Sequence, residues 1–225
     1  MIKDHEIPQI LYRECVLEEI KARESGEDRE DYELADKLIE EINTLGYNFK
    51  YLTDFNWYKV ADKRIVDILK KYILNFNNLG ISEDLLNLVS HKGFFEATQM
   101  VLDLYELIKE RLNPKYQCEC AGCDNALHNI ADRRFESQFL DYYKSEDDAV
   151  RLALTMELLG KWKNEQAKLI SLVHLKSDNR EVVFTALDVI KYFKGDKICK
   201  EAVSPLCHSK DKDIASLAKK VIKKL

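Results

Sequence analysis

Helix breakers are scarce in this chain: its 225 residues include only 7 glycines and 3 prolines. So few positions that stop a helix leave long stretches free to coil. No run of alternating β-branched residues is long enough to argue for a sheet. Long hydrophobic runs are missing too. No stretch approaches twenty apolar residues, which argues against a membrane-spanning helix. The opening Met1-Ile2-Lys3-Asp4-His5-Glu6 lacks a basic region followed by an apolar one, the pattern of a secretion signal. The 6 cysteines fall at irregular spacing and read as reduced thiols of a cytoplasmic chain. Glycine-rich phosphate loops, nucleophile elbows and HExxH zinc signatures are all absent. Acid pairs are common in so charged a chain, and none of them singles out a catalytic residue.

What is present is repetition. Asp148-Ala149-Val150-Arg151-Leu152-Ala153-Leu154 returns 33 residues later as Glu181-Val182-Val183-Phe184-Thr185-Ala186-Leu187, and again, weakened, as Asp213-Ile214-Ala215-Ser216-Leu217-Ala218-Lys219. Ala153, Ala186 and Ala218 coincide, as do Met156, Val189 and Val221. The intervening segments repeat as well: Leu169–Val173 aligns with Ala202–Leu206, and each is followed by an aspartate, Asp178 and Asp211. Two helical patterns per repeat are the sequence signature of an α-solenoid, in which no unit buries its apolar face alone. A chain of this length can bury roughly three quarters of its extended surface. The expectation is one elongated all-α domain over residues 1–225, with divergent helices in 1–80 and repeats over 82–225.

In order along the chain, apolar residues at helical spacing predict helices over about 7–24, 31–45 (with Gly46 at its C-cap) and 60–75. A short helix beginning at Ser82-Glu83-Asp84 comes next, with Ser82 as N-cap. Another is expected from Phe94 to about Leu112. Pro114 then forces an interruption, and a cysteine-containing loop is expected over 113–124. Ser145-Glu146-Asp147-Asp148 reads as a capping box for a helix ending at Gly160. Between Tyr47 and Tyr58 the chain is rich in aromatics without a period, as a connector packed on the first helices would be, or as an aromatic patch for a partner.

Asp148-Ala149-Val150-Arg151, with Ala153 and then Leu159-Gly160, resembles the first helix of a HEAT repeat, and Leu169–Asp178 resembles the second. The similarity covers 145–225 and extends toward residue 82. The arginine of the pattern stands at Arg151, but Phe184 and Ser216 occupy the equivalent places in the next two repeats. The resemblance implies a right-handed α-solenoid of stacked antiparallel helix pairs and a non-catalytic scaffold that binds another protein along its groove. Residues near Leu169–Lys176 and Lys197–Lys210 would line that groove, with Trp162, Lys163, Lys176, Lys194 and Lys197 as partner-binding residues.

Charge is distributed unevenly. Residues 1–49 hold 6 Lys/Arg against 14 Asp/Glu, whereas residues 191–225 hold 10 lysines against 4 acids. Either each end is a solvated helix face or the chain is an electrostatic dipole that steers partners. The acidic end fits an inhibitor or immunity-type protein that clamps a basic enzyme. The competing function uses the basic end. Lys191, Lys194, Lys197, Lys200, Lys219, Lys220, Lys223 and Lys224 would hold nucleic acid, as in HEAT-like DNA glycosylases. Lysines of a terminal repeat also serve as the polar cap that a solenoid needs.

Cys118, Cys120 and Cys123, with His128 five residues on, offer three thiolates and an imidazole, a donor set suited to a structural zinc ion. The spacing is C-x-C-x-x-C rather than two C-x-x-C knuckles, so a redox pair and plain reduced thiols compete with it. Cys199, Cys207, His208 and His174 form a second grouping, with Cys207 aligned on His174 of the previous repeat; matching solenoid positions filled by core packing are the favoured explanation. No other cofactor is implied.

Overall fold

Capping residues, rather than prolines, divide this chain into its helices. The computed structural model describes residues 7–26, 28–57, 62–111 and 120–225, and among these the chain is helical with no strand. No helix among them is long and apolar enough to cross a membrane. The fold divides into two compact units, Met1–Ile130 and Ala131–Leu225. The division coincides with the charge gradient: the first unit has 16 Lys/Arg against 25 Asp/Glu, the second 19 against 15.

In the first unit run α1 (Ile7–Ser25), α2 (Arg29–Asn43), α3 (Thr53–Trp57), α4 (Arg64–Tyr72), α5 (Leu79–Leu85), α6 (Thr98–Arg111) and α7 (Ala121–Ile130). Its core is built from Leu38 and Ile42 of α2, Ile65 and Leu69 of α4, Leu85, Leu86 and Leu88, and Leu104 and Tyr105 of α6, all at most 1 % exposed. Three buried carboxylates tie this unit together, Glu19 and Asp31 by accepting backbone N–H groups from distant segments and Asp54 by joining a local turn to α1. Glu19 accepts from the amides of Leu52 (3.1 Å) and Thr53 (2.9 Å) at the start of α3. Asp31 accepts from Asn77 (2.8 Å) and Asn78 (2.7 Å), just ahead of α5. Asp54 accepts from Lys50 (2.7 Å) and Tyr51 (3.1 Å), and from the Tyr12 hydroxyl (2.6 Å). Each buried carboxylate is itself satisfied by these donors, as a charge taken out of water must be.

Several local expectations change here. The helix expected from Ser82 begins at Leu79, because Asn78 accepts the Gly80 amide as its cap, while the buried Ser82 hydroxyl donates to the Ile73 carbonyl. The expected loop over 113–124 already includes the first turn of α7 at 121–124. The aromatic connector packs inward: Phe49 stacks on Tyr47 and meets Phe55 edge-on, with ring centroids 5.1 Å apart in both pairs.

In the second unit run α8 (Glu136–Lys144), α9 (Glu146–Arg151), α10 (Ala153–Lys161), α11 (Glu165–His174), α12 (Arg180–Ile190), α13 (Lys197–Val203), a 3₁₀ turn Ser204–His208 and α14 (Lys212–Ile222). Ser145, Asn164, Asn179, Asp196 and Asp211 cap α9, α11, α12, α13 and α14, each accepting backbone N–H groups of the first turn. The single helix expected from Ser145 to Gly160 is broken at Leu152, where φ −114° and ψ 36° separate α9 from α10.

Helix α12 is the centre of this unit and packs against α9, α10, α11 and α14. Val182, Val183, Ala186, Leu187, Val189 and Ile190 are buried on one broad face, while Glu181, Phe184 and Asp188 mark the side nearer solvent. Met156, Val189 and Val221, which align in the repeat, are each at most 1 % exposed, and so are Ala186 and Ala218; Ala153 is half-buried, beside the break at Leu152. Gly160 sets how closely α10 approaches α12. A Cβ there would lie 2.4 Å from the Val189 carbonyl oxygen.

Side-chain links recur at nearly the repeat length. Arg180 reaches Asp211 (2.8 Å) and Asp213 (2.5 Å), 31 and 33 residues on. Lys168 reaches Asp196 (3.0 Å) and Asn164 reaches Glu136 (2.7 Å), each 28 residues apart. The Tyr192 hydroxyl and the Lys191 ammonium both meet Glu157.

Candidate docking face

Helices α11 and α13 each bury one side and leave apolar residues on the other. On α11, Ala167, Ser171 and His174 are buried, while Leu169 and Val173, one turn apart, are 59 % and 68 % exposed. On α13, Cys199 and Val203 are buried and Ile198 is 62 % exposed. The amphipathic rule would put these large aliphatics inside, so an outward row of them on two helices calls for an explanation.

A side-chain ion pair links the two helices near their N-terminal ends. Lys168 bridges Glu165 on its own helix to the Asp196 cap of α13. These two carboxylates raise its pKa and hold the side chain in place. Lys163 and Lys168 both approach the Phe193 ring, each ammonium 5.6 Å from its centroid. Beneath the face, the buried Tyr143 hydroxyl is 2.7 Å from Ser171 Oγ, and the edge of His174 meets the Tyr143 ring at 5.0 Å. The face therefore rests on a rigid layer.

The residues singled out from the sequence fall around this face unevenly. Lys163, Lys176, Lys194 and Lys197 are exposed, at the ends of α11 and α13. Lys163 holds a left-handed φ of 60° in the turn before α11. Trp162 is half-buried: its ring packs on Phe139 at 6.0 Å and its carbonyl accepts from Arg133, so it closes the α8–α10 corner. Of the basic series, Lys191 is turned inward to Glu157 and Asp188, whereas Lys194, Lys197, Lys200, Lys219, Lys220, Lys223 and Lys224 are exposed. An open groove of about 510 Å³ runs beside α14, lined by His208, Ser209, Lys212, Ser216 and Lys219.

For the zinc set, Cys118 lies outside the described residues. Cys120 and Cys123 are buried at the start of α7, and His128 is half-exposed further along the same helix. Five helical residues rotate His128 by ~140° from Cys123, so the two point to different sides. Burial, then the nearby Glu83, pushes the Cys123 thiol well above its ordinary pKa. Among the described residues no group of three or more His, Cys, Asp or Glu side chains is placed to hold a metal ion. Cys199 is buried with its pKa raised to about 11 by desolvation, Cys207 is half-buried and His208 exposed.

The exposed residues Leu169, Val173 and Ile198 fall inside the two segments, Leu169–Lys176 and Lys197–Lys210, expected to line a groove, but their individual exposure was not legible, since periodicity assigns such residues to a core. Compared with known proteins, the chain matches no family model, no curated protein and no solved structure.

Proposed function

We propose that this chain is a non-catalytic binding protein of HEAT-like repeat architecture, whose second unit recognises a partner protein along α11 and α13. The observation that carries this reading is the exposure of Leu169, Val173 and Ile198, with lysines at both ends of α11 and at the N-terminal end of α13. The matching burial of Met156, Val189 and Val221 and the side-chain links at near-repeat spacing support the repeat assignment. Each exposed aliphatic has more than half its surface left to bury, a contribution of about 1 kcal/mol apiece when covered. A partner matching this face carries apolar side chains flanked by carboxylates. Lys163, Lys176, Lys194 and Lys197 would then form the polar rim that steers association.

The test is affinity capture from the source cells with the wild-type chain and with the triple variant Leu169→Asp, Val173→Asp, Ile198→Asp. A protein retained by the first and lost by the second is the expected result. A partner set unchanged by the triple variant, with helicity intact, removes this face from the function.

The groove beside α14, with Lys212 and Lys219 on its walls, favours a second reading in which this basic surface holds nucleic acid. Duplex DNA affinity that falls steeply with salt would support it, and no binding at low salt would remove it.

A further inference from the structure

The first unit contains a small pocket between α1, α2, α3 and α5. Its volume is about 160 Å³, and Glu19, Tyr32, Phe55, Ile81, Asp84 and Leu85 form most of its wall. Phe55 and Leu85 are buried beneath it, so its floor is apolar. A dry cavity of about 150 Å³ admits a benzene-sized group. This pocket therefore has room for a four- or five-atom chain.

Its two carboxylates differ in state. Glu19 is saturated: it accepts from the Leu52 and Thr53 amides, from the Thr53 hydroxyl and from Arg23, whose guanidinium also lies 4.7 Å from the Tyr32 ring centroid. Asp84 has no hydrogen-bond or ion-pair partner among the described residues. It sits in the last turn of the short helix α5, whose path continues as a 3₁₀ turn over Leu86–Leu88. Its side chain is exposed at the mouth of the pocket, and partial desolvation by the residues around it raises its pKa. An acid in this position lacks a counter-ion, and the acidic first unit draws cations toward it.

We infer that this pocket binds an organic cation with a short apolar stem: the stem lies on Phe55, Ile81 and Leu85, and the ammonium or guanidinium pairs with Asp84. A lysine side chain of a partner protein and a free alkylamine share this chemistry. The inference rests on the first unit alone and stands or falls independently of the face on α11 and α13.

The test follows amide and carboxyl resonances of the full chain by NMR during titration with n-butylamine, and with 1-butanol as the uncharged match. Butylamine is expected to shift the amides of Leu52, Asp84 and Leu85 saturably and to pull the Asp84 pKa down, with butanol at least about fivefold weaker. Asp84→Asn, at an exposed and unpartnered position, keeps the fold and weakens butylamine by a similar factor. A peptide with one lysine in an apolar context that binds more tightly than butylamine identifies a protein as the source; one that binds no more tightly identifies a free amine. Equal binding of butylamine and butanol, an Asp84 pKa that does not move, or an Asp84→Asn variant that binds as well as wild type would each overturn the inference.

Discussion

Replacing Gly160 by alanine pits helix propensity against packing, and the structure decides the sign. In an ordinary exposed helix interior the change stabilises by about 1 kcal/mol, because glycine loses more backbone freedom on folding. Here the added Cβ would stand 2.4 Å from the Val189 carbonyl oxygen and 3.0 Å from both Val189 Cα and Tyr192 Cδ2, where ordinary contact begins at 3.4 Å. The nearest obstacle is backbone, so α10 must retreat from α12 by about 1 Å. Such a gap forfeits a quarter to a half of each dispersion contact it opens. The interface includes Met156, Leu159, Val189 and Ile190, all fully buried, and Tyr192 above them is tied to Glu157. Overpacking of this kind costs about 3 kcal/mol. After the helix gain, about 2 kcal/mol of net destabilisation remains. Urea unfolding followed by far-UV circular dichroism should show the midpoint falling by about 1 M, taking a slope near 2 kcal/mol per molar. A midpoint that stays or rises would mean that α10 and α12 are not in backbone contact at Gly160.

Two further perturbations test other parts of the fold. Asp31→Asn leaves one of the Asn77 and Asn78 amides facing an NH₂ group instead of a carboxylate oxygen, and should cost about 2 kcal/mol in urea. Asp36→Asn, at an exposed position paired with Arg23, should stay within about 0.5 kcal/mol; equal effects from the two would refute the role given to Asp31. His174 should make the second unit acid-sensitive. Burial lowers its pKa below 6.5, the nearby Glu146 opposes that only partly, and Nδ1 is buried without a partner. The unfolded chain then binds the proton more readily, so stability is full above pH 6.5 and declines as pH falls toward the depressed value. His174→Gln should flatten that decline. The carboxylate Glu157 contributes a separate, lower window. Desolvation alone would raise its pKa, but hydrogen bonds from Tyr192 and Lys191 outweigh it and bring the value to about 2, so its stabilisation fades only below about pH 4.5. A stability profile flat from pH 7 to 5 in the wild type would refute the assignment to His174.

The helical class was legible in the sequence because it rests on local signals. Ser145 caps α9 as its spacing implied, and the aligned positions Met156, Val189 and Val221 share one environment. What escaped depends on contacts distant in sequence. Glu19, Asp31 and Asp54 look like members of a solvated acidic face, yet they are buried, and for Glu19 and Asp31 the donors that satisfy them are backbone amides up to 47 residues away. Asn78 displaced Ser82 as a cap because Ser82 had a buried carbonyl to satisfy. The segments Leu169–Lys176 and Lys197–Lys210 were legible as a possible groove, but not which of their residues face out: Leu169, Val173 and Ile198 fit a helical period, and no local signal tells a buried aliphatic from one left facing solvent. Gly160 was visible as part of a motif, but its closeness to the Val189 carbonyl was not.

The central claim, a partner bound along α11 and α13, is tested most directly by site-specific photocrosslinking in the source cells. Benzoylphenylalanine would be placed at Val173, at Ile198 and, as a control, at the exposed Ser137 on α8. The account predicts one common protein adduct from Val173 and Ile198 that Ser137 does not give. Adducts absent from both face positions, or equally strong from Ser137, would contradict it.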